Sequence, residues 1–77
     1  MRTLTLYHRE DCCLCDEMKE VIESLRDEIP LRLEEIDIDT DADLARRYGT
    51  DIPVLLIDGR EAFRHRLTPD ELRRALR

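Results

Sequence analysis

Apolar and polar residues follow two different periods in the first third of the chain. Residues 2–7 alternate, with Leu4 and Leu6 on one side, and this period of two predicts a first β-strand. From residue 14 to residue 29, apolar side chains recur every three or four positions, the spacing of a helix with one buried face, which predicts a helix over about residues 13–28. The members of this stripe are Leu14, Met18, Val21, Ile22, Leu25 and Ile29. Pro30 cannot continue the helix, so we expect a strand followed by an amphipathic helix.

The second predicted strand, residues 31–38, changes the side of its apolar residues halfway along. Leu31 and Leu33 are in one phase of the alternation, whereas Ile36 and Ile38 are in the other. Either a β-bulge or a strand that is covered on both faces accommodates this change. The sequence leaves both alternatives open.

A second, shorter helix is predicted for residues 41–48. Thr40 is followed three positions later by Asp43, a spacing that resembles a capping box, in which two side chains satisfy each other's backbone N–H groups. This helix would bury Leu44 and Tyr48, and the glycine that follows it is a common helix terminator.

The apolar pattern of the next segment predicts two paired strands. Residues 53–57 are almost all apolar, which is typical of a strand buried on both faces. The dipeptide Asp58-Gly59 favours a tight hairpin turn. Residues 60–65 would therefore return as an antiparallel strand at the edge of the sheet.

The last helix is predicted by its first residues. Thr68 is a preferred capping residue, Pro69 suits the first helical position, and Glu71 completes a capping box. Leu67 and Leu72 have the spacing of a hydrophobic staple across this cap. The helix would turn its apolar residues inward, namely Leu72, Ala75 and Leu76.

The predicted order of elements is β-α-β-α-β-β-α. Because crossovers between parallel strands are right-handed, the first and third helices would cover one face of a four-stranded mixed sheet, and the second helix the other face. A chain of 77 residues has room for one core, and no linker, repeat or low-complexity segment divides it. We expect an α/β fold in a single domain of residues 1–77.

Charge is distributed unevenly along the chain, whose formal net charge is −6. Residues 10–43 hold fourteen acidic side chains, whereas six arginines follow from residue 60 onward. The simpler interpretation is that these charges form solvated surfaces. The alternative is a dipolar surface that orients an acidic partner near Arg64 and Arg66. The acidic balance and the three aromatic residues disfavour nucleic-acid binding.

Nothing in the sequence predicts export or membrane insertion. No apolar segment follows Met1-Arg2, as a secretory signal would require. The longest apolar run, residues 52–57, is too short to cross a bilayer. We therefore expect a cytoplasmic protein, in a compartment where disulfides tend to be transient, and we expect it to be a monomer.

The candidate chemistry lies in Cys12-Cys13-Leu14-Cys15, between the first strand and the first helix. Cys12 and Cys15 are three positions apart, so on a helix their side chains share one face and can form a disulfide. Free N–H groups and partial positive charge at a helix start favour the thiolate of the first cysteine. With Cys15 as the resolving thiol, this pair is sufficient for dithiol–disulfide exchange.

Other uses of the cysteines remain open. Cys12, Cys13 and Cys15 could gather around zinc with His8, or hold an iron–sulfur cluster shared in a dimer, although the second ligand pair of a usual zinc site is absent. The cysteines could also be idle in a non-catalytic binding module. Three clustered cysteines do not predict a structural disulfide framework. We expect Cys13 to be a bystander, because adjacent residues point about 100° apart on a helix.

The element order, the C-x-x-C at a helix start and the Ile52-Pro53 dipeptide before the third strand together resemble the thioredoxin superfamily. The compact length is most similar to glutaredoxins and small glutaredoxin-like proteins. The segments that carry the match are residues 12–16 and 50–54. The resemblance implies a thioredoxin-like fold and a redox-active thiol–disulfide oxidoreductase that serves electron transport.

The resemblance also implies roles for individual residues. Cys12 would be the exposed nucleophile and Cys15 the more buried resolving cysteine. Pro53 would follow a cis peptide bond, and the backbone of Ile52 would pair with an extended substrate. Arg9 matches the basic position that glutaredoxins use near the glutathione carboxylate. No metal or resident cofactor is implied, and glutathione is one candidate co-substrate.

Two departures from the family pattern concern glutathione. Cys13 and Leu14 stand where glutaredoxins commonly have Pro-Tyr and thioredoxins Gly-Pro, and the glutaredoxin glycine pair, expected near Phe63 and Arg64, is absent. We expect the substrate to be a disulfide-containing protein or a low-molecular-weight disulfide. The electron donor would be a reductase or glutathione.

Overall fold

A computed structural model describes residues 1–77 of the chain. Its strands are β1 (Arg2–His8), β2 (Leu31–Asp37), β3 (Val54–Ile57) and β4 (Arg60–Arg64), and its helices are α1 (Cys13–Leu25), α2 (Ala42–Tyr48) and α3 (Pro69–Ala75). A short 3-10 turn, Ile38–Thr40, joins β2 to α2. This arrangement confirms the predicted order of elements. Judged by length and hydropathy, none of the helices could span a membrane.

The four strands form one sheet in the order β2-β1-β3-β4. β1 pairs in parallel with β2 and antiparallel with β3, and β3 pairs antiparallel with β4. The parallel pair requires a crossover, which α1 supplies, whereas the antiparallel pair of β3 and β4 needs only a two-residue turn. The mixed sheet confirms the expected α/β fold, and β4 is the predicted edge strand.

One face of the sheet packs against α1 and α3. Leu4 and Leu6 of β1 are almost completely buried on this face, as their alternation predicts. They belong to one apolar cluster, whose members are Leu4, Leu6, Met18, Ile22, Leu25, Leu31, Leu55, Ile57, Leu67, Leu72 and Leu76. Beyond the end of α1, the Glu28 carboxylate accepts two hydrogen bonds of 2.9 Å from the Arg73 guanidinium of α3. The first and third helices therefore close a common core.

The opposite face of the sheet is covered by α2. Tyr7 lies on this face, because it alternates with the buried leucines of β1, and its ring centre is 5.0 Å from that of Tyr48 in α2. β2 pairs with β1 in unbroken register, so the change of phase between Leu31 and Ile36 involves no bulge in this pair. Instead, β2 has apolar residues on both covered faces, and Ile38 is fully buried at the start of the 3-10 turn.

The hairpin between β3 and β4 has the predicted turn. Asp58 and Gly59 both have positive φ, 49° and 86°, as a type I′ hairpin turn requires. The Asp58 carboxylate accepts hydrogen bonds from the Thr3 N–H (2.9 Å) and from Arg2 Nε (2.6 Å). The Thr3 N–H, and then Arg2, hold the pKa of Asp58 below its usual value. The hairpin turn thereby anchors the start of β1.

The start of α3 has the predicted capping box. Thr68 Oγ1 accepts a hydrogen bond from the Glu71 N–H at 3.2 Å, and the Glu71 carboxylate accepts one from the Thr68 N–H at 3.0 Å. Leu67 and Leu72 are both buried on either side of this cap, as in a hydrophobic staple. This helix start is therefore determined by its local sequence.

α1 ends earlier than its apolar stripe predicts. The helix stops at Leu25 rather than at residue 28, because the Arg26 N–H bonds to the Glu23 carbonyl three residues earlier and tightens the last turn. Ile29 still packs against the core from the following turn. The apolar period therefore extends beyond the helix itself, and the predicted boundary was wrong.

α2 is capped by a different residue from the one predicted. The Asp41 carboxylate accepts hydrogen bonds from two N–H groups of the first turn. The expected capping box is absent, because the Thr40 hydroxyl donates to the Asp37 carbonyl within the 3-10 turn. Leu44 and Tyr48 are half-buried rather than buried. Because α2 has only two turns, it leaves part of each of these two side chains exposed to solvent.

The remaining differences concern single residues at strand ends. Ile38, Pro53 and His65 lie just outside β2, β3 and β4. The pairing of β3 with β4 also shifts by one residue between Leu55 and Leu56, which is a β-bulge that the sequence did not predict. Bulges of this kind are common next to the edge of a sheet.

Candidate functional site

The three cysteines lie in the connection from β1 to α1. Cys12 caps the amino end of α1 with extended backbone (φ −110°, ψ 105°), and Cys13 is the first helical residue. Asp11 has φ 58°, a left-handed conformation that aspartate adopts more readily than most residues. This turn carries the chain from the sheet to the start of the helix.

Cys12 and Cys15 are joined by a disulfide, and their Cα atoms are 5.2 Å apart. The spacing of three residues at a helix start therefore brings the two sulfur atoms together, as predicted. The two residues differ in exposure, since Cys15 is 3% exposed and Cys12 is half-buried. Cys13 is a free, exposed cysteine. A molecule in solution therefore reaches Cys12 more easily than Cys15.

Cys12 Sγ accepts a hydrogen bond from the Cys15 N–H at 3.2 Å. The same sulfur lies at the positive end of the α1 dipole, where N–H groups without helical partners favour negative charge. Both features stabilise a thiolate at Cys12 when the disulfide is reduced. The surroundings of Cys12 therefore suit a nucleophilic sulfur.

Four exposed carboxylates flank the cysteine pair in the sequence. They are Glu10, Asp11, Asp16 and Glu17. None of these four takes part in an ion pair of the structure. The only lysine of the chain, Lys19, is instead 3.0 Å from Glu35, and this carboxylate raises the pKa of Lys19. The rim of the cysteine site is therefore negatively charged.

The peptide bond between Ile52 and Pro53 is cis. Pro53 is buried, and Ile52 is half-buried. The Pro53 carbonyl accepts a hydrogen bond of 2.8 Å from the His65 N–H, and His65 has a left-handed backbone with φ 66°. His65 also lines a groove between α1 and residues 65–71, together with Leu14 of the cysteine motif. His65 therefore binds the proline segment through its N–H and lines the same groove as the cysteine motif.

Arg9 lies in the loop between β1 and Cys12, and its guanidinium is bound within the protein. Arg9 Nε is 2.9 and 3.1 Å from the two carboxylate oxygens of Asp39. A terminal nitrogen donates to the Gly49 carbonyl at 3.3 Å. Arg9 and Cys15 also line one small cleft. The structure therefore brings Arg9 to the cysteine site, with a carboxylate already bound to it.

The segment where a glycine pair was expected carries two large side chains. Phe63 is half-buried and packs against the core. Arg64 pairs with Glu61 (2.6 Å) and with Asp51 (2.9 Å), and the Glu61 carboxylate raises the pKa of Arg64. Of the two arginines considered for an acidic partner, Arg64 is therefore occupied, whereas Arg66 is exposed and has no ion-pair partner.

Three neighbours of the site were not predicted from the sequence. They are Asp39, Gly49 and His65. The chain has nineteen acidic residues, and no local pattern indicates which of them pairs with Arg9, 30 residues from Asp39. Glycine is the residue that most often signals a positive φ; histidine is enriched there as well, but its presence alone did not indicate that His65 adopts it. Only the glycine offered a signal, as the terminator of α2.

The chain matches the model of one protein family over nearly its whole length. That family is the glutaredoxin-like domain (DUF836), and the match spans residues 3–77. A glutaredoxin-like protein of Dictyostelium discoideum is 32% identical over an alignment 75 residues long, which covers 90% of this chain and 69% of that protein. Both the cysteine motif and the Ile52-Pro53 segment lie within the family match.

Solved structures share the fold. The structural genomics target XcR50 from X. campestris is 38% identical, with a TM-score of 0.79 over 95% of this chain and 93% of its own. Protein Ne2328 from Nitrosomonas europaea is 33% identical, with a TM-score of 0.84 over 99% and 92%. A thioredoxin from Halobacterium salinarum, 24% identical with a TM-score of 0.72 over 97% and 71%, shares the fold alone. The chain therefore has the predicted thioredoxin fold.

Proposed function

We propose that this chain, which belongs to the glutaredoxin-like domain family of the thioredoxin superfamily, is a thiol–disulfide oxidoreductase. The observation that carries the proposal is the Cys12–Cys15 pair at the amino end of α1. Its outer sulfur accepts a backbone hydrogen bond, and its inner cysteine is almost fully buried. A pair arranged in this way exchanges two electrons with a substrate disulfide.

In the proposed reaction, the Cys12 thiolate of the reduced protein attacks a substrate disulfide. A bond forms between Cys12 Sγ and one substrate sulfur, the substrate disulfide breaks, and the other sulfur leaves as a thiolate that takes up a proton. Cys15 then loses its proton and attacks Cys12 Sγ, which releases the second substrate thiol. The substrate gains two electrons and two protons, and the protein ends with the disulfide present in the structure.

The burial of Cys15 supports its role as the resolving cysteine. A thiol that is 3% exposed is shielded from a substrate disulfide in solution, but it lies next to Cys12. Cys13 is exposed and follows Cys12 directly, so it has access to solvent but not the geometry for an unstrained bridge. We therefore assign no step of the reaction to Cys13.

The backbone at Ile52 is the proposed binding edge for an extended substrate. Ile52 lies before β3, and it takes part in none of the backbone hydrogen bonds outside the helices and strands. Free N–H and C=O groups at such a position pair readily with an added extended segment. Pro53 has no N–H to donate and its side chain is buried, so its proposed role is to present the Ile52 backbone to the substrate.

We place this activity in the cytoplasm, in a monomer that acts on a disulfide-containing protein or a small disulfide. A reductase or glutathione would return the Cys12–Cys15 disulfide to the dithiol. The free, exposed Cys13 supports a reducing compartment, because exposed thiols are readily oxidised elsewhere. Electrons would therefore pass from the donor, through this pair, to the substrate.

The test is the reduction of insulin disulfides with dithiothreitol as electron donor. Cys12→Ser should abolish catalysis, and Cys15→Ser should remove most of it, because the mixed disulfide is then not resolved. Cys13→Ser is the matched control, with the same change of atoms one position away, and should remain active. Retention of activity in Cys12→Ser would contradict the proposal. A Cys15→Ser variant should also trap substrate proteins from a cell extract as mixed disulfides.

Metal content distinguishes the alternative use of the cysteines. The structure has no group of three or more His, Cys, Asp and Glu side chains arranged to hold a metal ion. Protein purified under reducing, anaerobic conditions should therefore contain no stoichiometric zinc or iron. If stoichiometric metal is found and is lost in Cys12→Ser or Cys13→Ser, the proposed function would be metal binding instead of disulfide exchange.

A further inference from the structure

We propose that Arg9 is a positioning residue that holds the two sides of the disulfide-exchange site together, rather than a ligand for a substrate carboxylate. The proposal rests on the proposed function of the Cys12–Cys15 pair. It follows from where the Arg9 guanidinium is bound, and it replaces the role that the family resemblance implied for this residue.

The guanidinium of Arg9 joins three separate segments of the chain. Arg9 itself is in the loop after β1. Asp39, which is 30 residues away, lies in the 3-10 turn after β2, and Gly49, which is 40 residues away, lies at the end of α2. By contrast, Arg26 pairs with Glu23, and Arg46 with Asp43, only three residues away. The contacts of Arg9 with Asp39 and Gly49 therefore join distant parts of the fold, unlike local surface pairs. We call these contacts the Arg9 ties.

These ties end on both sides of the proposed site. Arg9 is three residues before Cys12, which carries the outer sulfur. Gly49 is three residues before Ile52, whose backbone is the proposed substrate edge. One side chain therefore fixes the loop of the nucleophile relative to the segment that would hold the substrate. Disulfide exchange requires an aligned attack, so a small displacement of either side lowers the rate.

The partners of Arg9 are themselves held in place. The Asp39 N–H donates to the Asp37 carboxylate at 2.9 Å, and the Thr40 hydroxyl donates to the Asp37 carbonyl at 2.7 Å, so the 3-10 turn presents the Asp39 carboxylate in a defined position. A β-carbon at Gly49 would collide with the carbonyl oxygen of residue 45. Glycine therefore allows the backbone its position at the end of α2, where Arg9 meets it.

Arginine, rather than any cation, is required for these contacts. Its planar guanidinium has five N–H donors, so it can bind a carboxylate and a carbonyl at the same time in fixed directions. A lysine ammonium keeps the charge but lacks this planar fork. If Arg9 acted only by attracting a substrate anion, lysine would largely replace it. If it acts by geometry, lysine fails.

The tie should affect the site more than the stability of the fold. The side chains of Arg9 and Asp39 are 36% and 52% exposed, and exposed ion pairs contribute little to the free energy of unfolding. The pair of Arg26 and Glu23 has similar exposure, 43% and 45%, but it lies within one segment at the far end of α1. Arg26→Gln is therefore a matched control for the loss of one exposed arginine pair.

The experiment compares Arg9→Gln, Arg9→Lys, Asp39→Ala and the control Arg26→Gln. We expect the first three to lower kcat for insulin reduction with dithiothreitol about tenfold, as a misaligned attack does, while the control keeps parent activity and all four melt at similar temperatures. The double variant Arg9→Gln, Asp39→Ala should be no slower than Arg9→Gln alone, because Asp39 acts on the site only through Arg9. Full activity in Arg9→Lys or in Asp39→Ala would overturn the proposal.

Amide hydrogen exchange separates this proposal from the proposed function. In the oxidised protein, exchange at residues 49–52 should be faster in Arg9→Gln, Arg9→Lys and Asp39→Ala than in the parent or in Arg26→Gln. This result would support the tie even if the parent protein reduced no disulfide, in which case the proposed function alone would fail. Unchanged exchange in all three variants would overturn the positioning role, whatever the activity.

Discussion

The Cys15 backbone N–H lies 3.2 Å from Cys12 Sγ, so the helix start that carries the pair also hydrogen-bonds to its outer sulfur. Four exposed carboxylates without ion-pair partners flank the cysteine motif in the sequence, namely Glu10, Asp11, Asp16 and Glu17. The hydrogen bond and the helix dipole favour a thiolate, whereas the carboxylates oppose it. The carboxylates are exposed and therefore largely screened by water and salt, so the hydrogen bond and the dipole should dominate.

The first prediction is that Cys12 reacts as a thiolate at lower pH than an ordinary cysteine. In a Cys13→Ser, Cys15→Ser variant, the rate of alkylation by iodoacetamide should rise with a midpoint below about 8.5, the value of a free cysteine. The same variant unfolded in urea is the control, because unfolding removes the helix start. Equal midpoints in the folded and unfolded protein would contradict this prediction.

The second prediction is that a cationic disulfide is reduced faster than an anionic one. The carboxylates near Cys12 repel glutathione disulfide and attract cystamine, so the rates should differ about tenfold at low salt and converge as salt is added. An Asp16→Asn, Glu17→Gln variant should reduce the difference, because it removes two of these charges. Equal rates for the two disulfides at low salt, or a difference that added salt does not reduce, would contradict this prediction.

The third prediction concerns acid stability and Asp58. The Thr3 N–H and Arg2 lower the pKa of Asp58 in the folded state, so its ionised form stabilises the fold. That contribution is complete above the unfolded-state pKa of about 3.9 and is lost as the pH falls through the lower folded-state value. Urea unfolding as a function of pH should therefore show a stability difference between the parent and Asp58→Asn that is constant near neutral pH and shrinks in acid. A difference that is independent of pH would contradict this assignment.

The fourth prediction is that the backbone at His65 is strained. A left-handed φ of 66° costs a residue with a β-carbon about 1 kcal/mol relative to glycine. The imidazole is exposed, and its nearest carboxylate, Asp51, is 3.9 Å away, so little else is lost on its removal. His65→Gly should therefore raise the melting temperature, whereas the control His65→Ala should not. An equal effect of the two substitutions would show that the side chain, not the backbone, determines the change.

Several elements of the fold were predictable because their determinants are close in sequence. The hairpin turn needs two adjacent residues with positive φ, and Asp58-Gly59 supplies them. The start of α3 needs a reciprocal pair of hydrogen bonds between Thr68 and Glu71, and both are present. Where two local signals competed, the prediction was wrong. At α2, Asp41 and Thr40 are both capable caps, and the 3-10 turn before the helix uses Thr40 for itself.

The sequence by itself determined the order of the elements and the pairing of Cys12 with Cys15. Both depend on short-range geometry, namely the periods of strands and helices and the i, i+3 spacing at a helix start. Only the tertiary structure decided which residues meet around that pair. Arg9 binds Asp39 and Gly49, 30 and 40 residues away, and the Pro53 carbonyl accepts its hydrogen bond from His65. Such contacts depend on strand order, register and helix placement together, and no local pattern of residues encodes them.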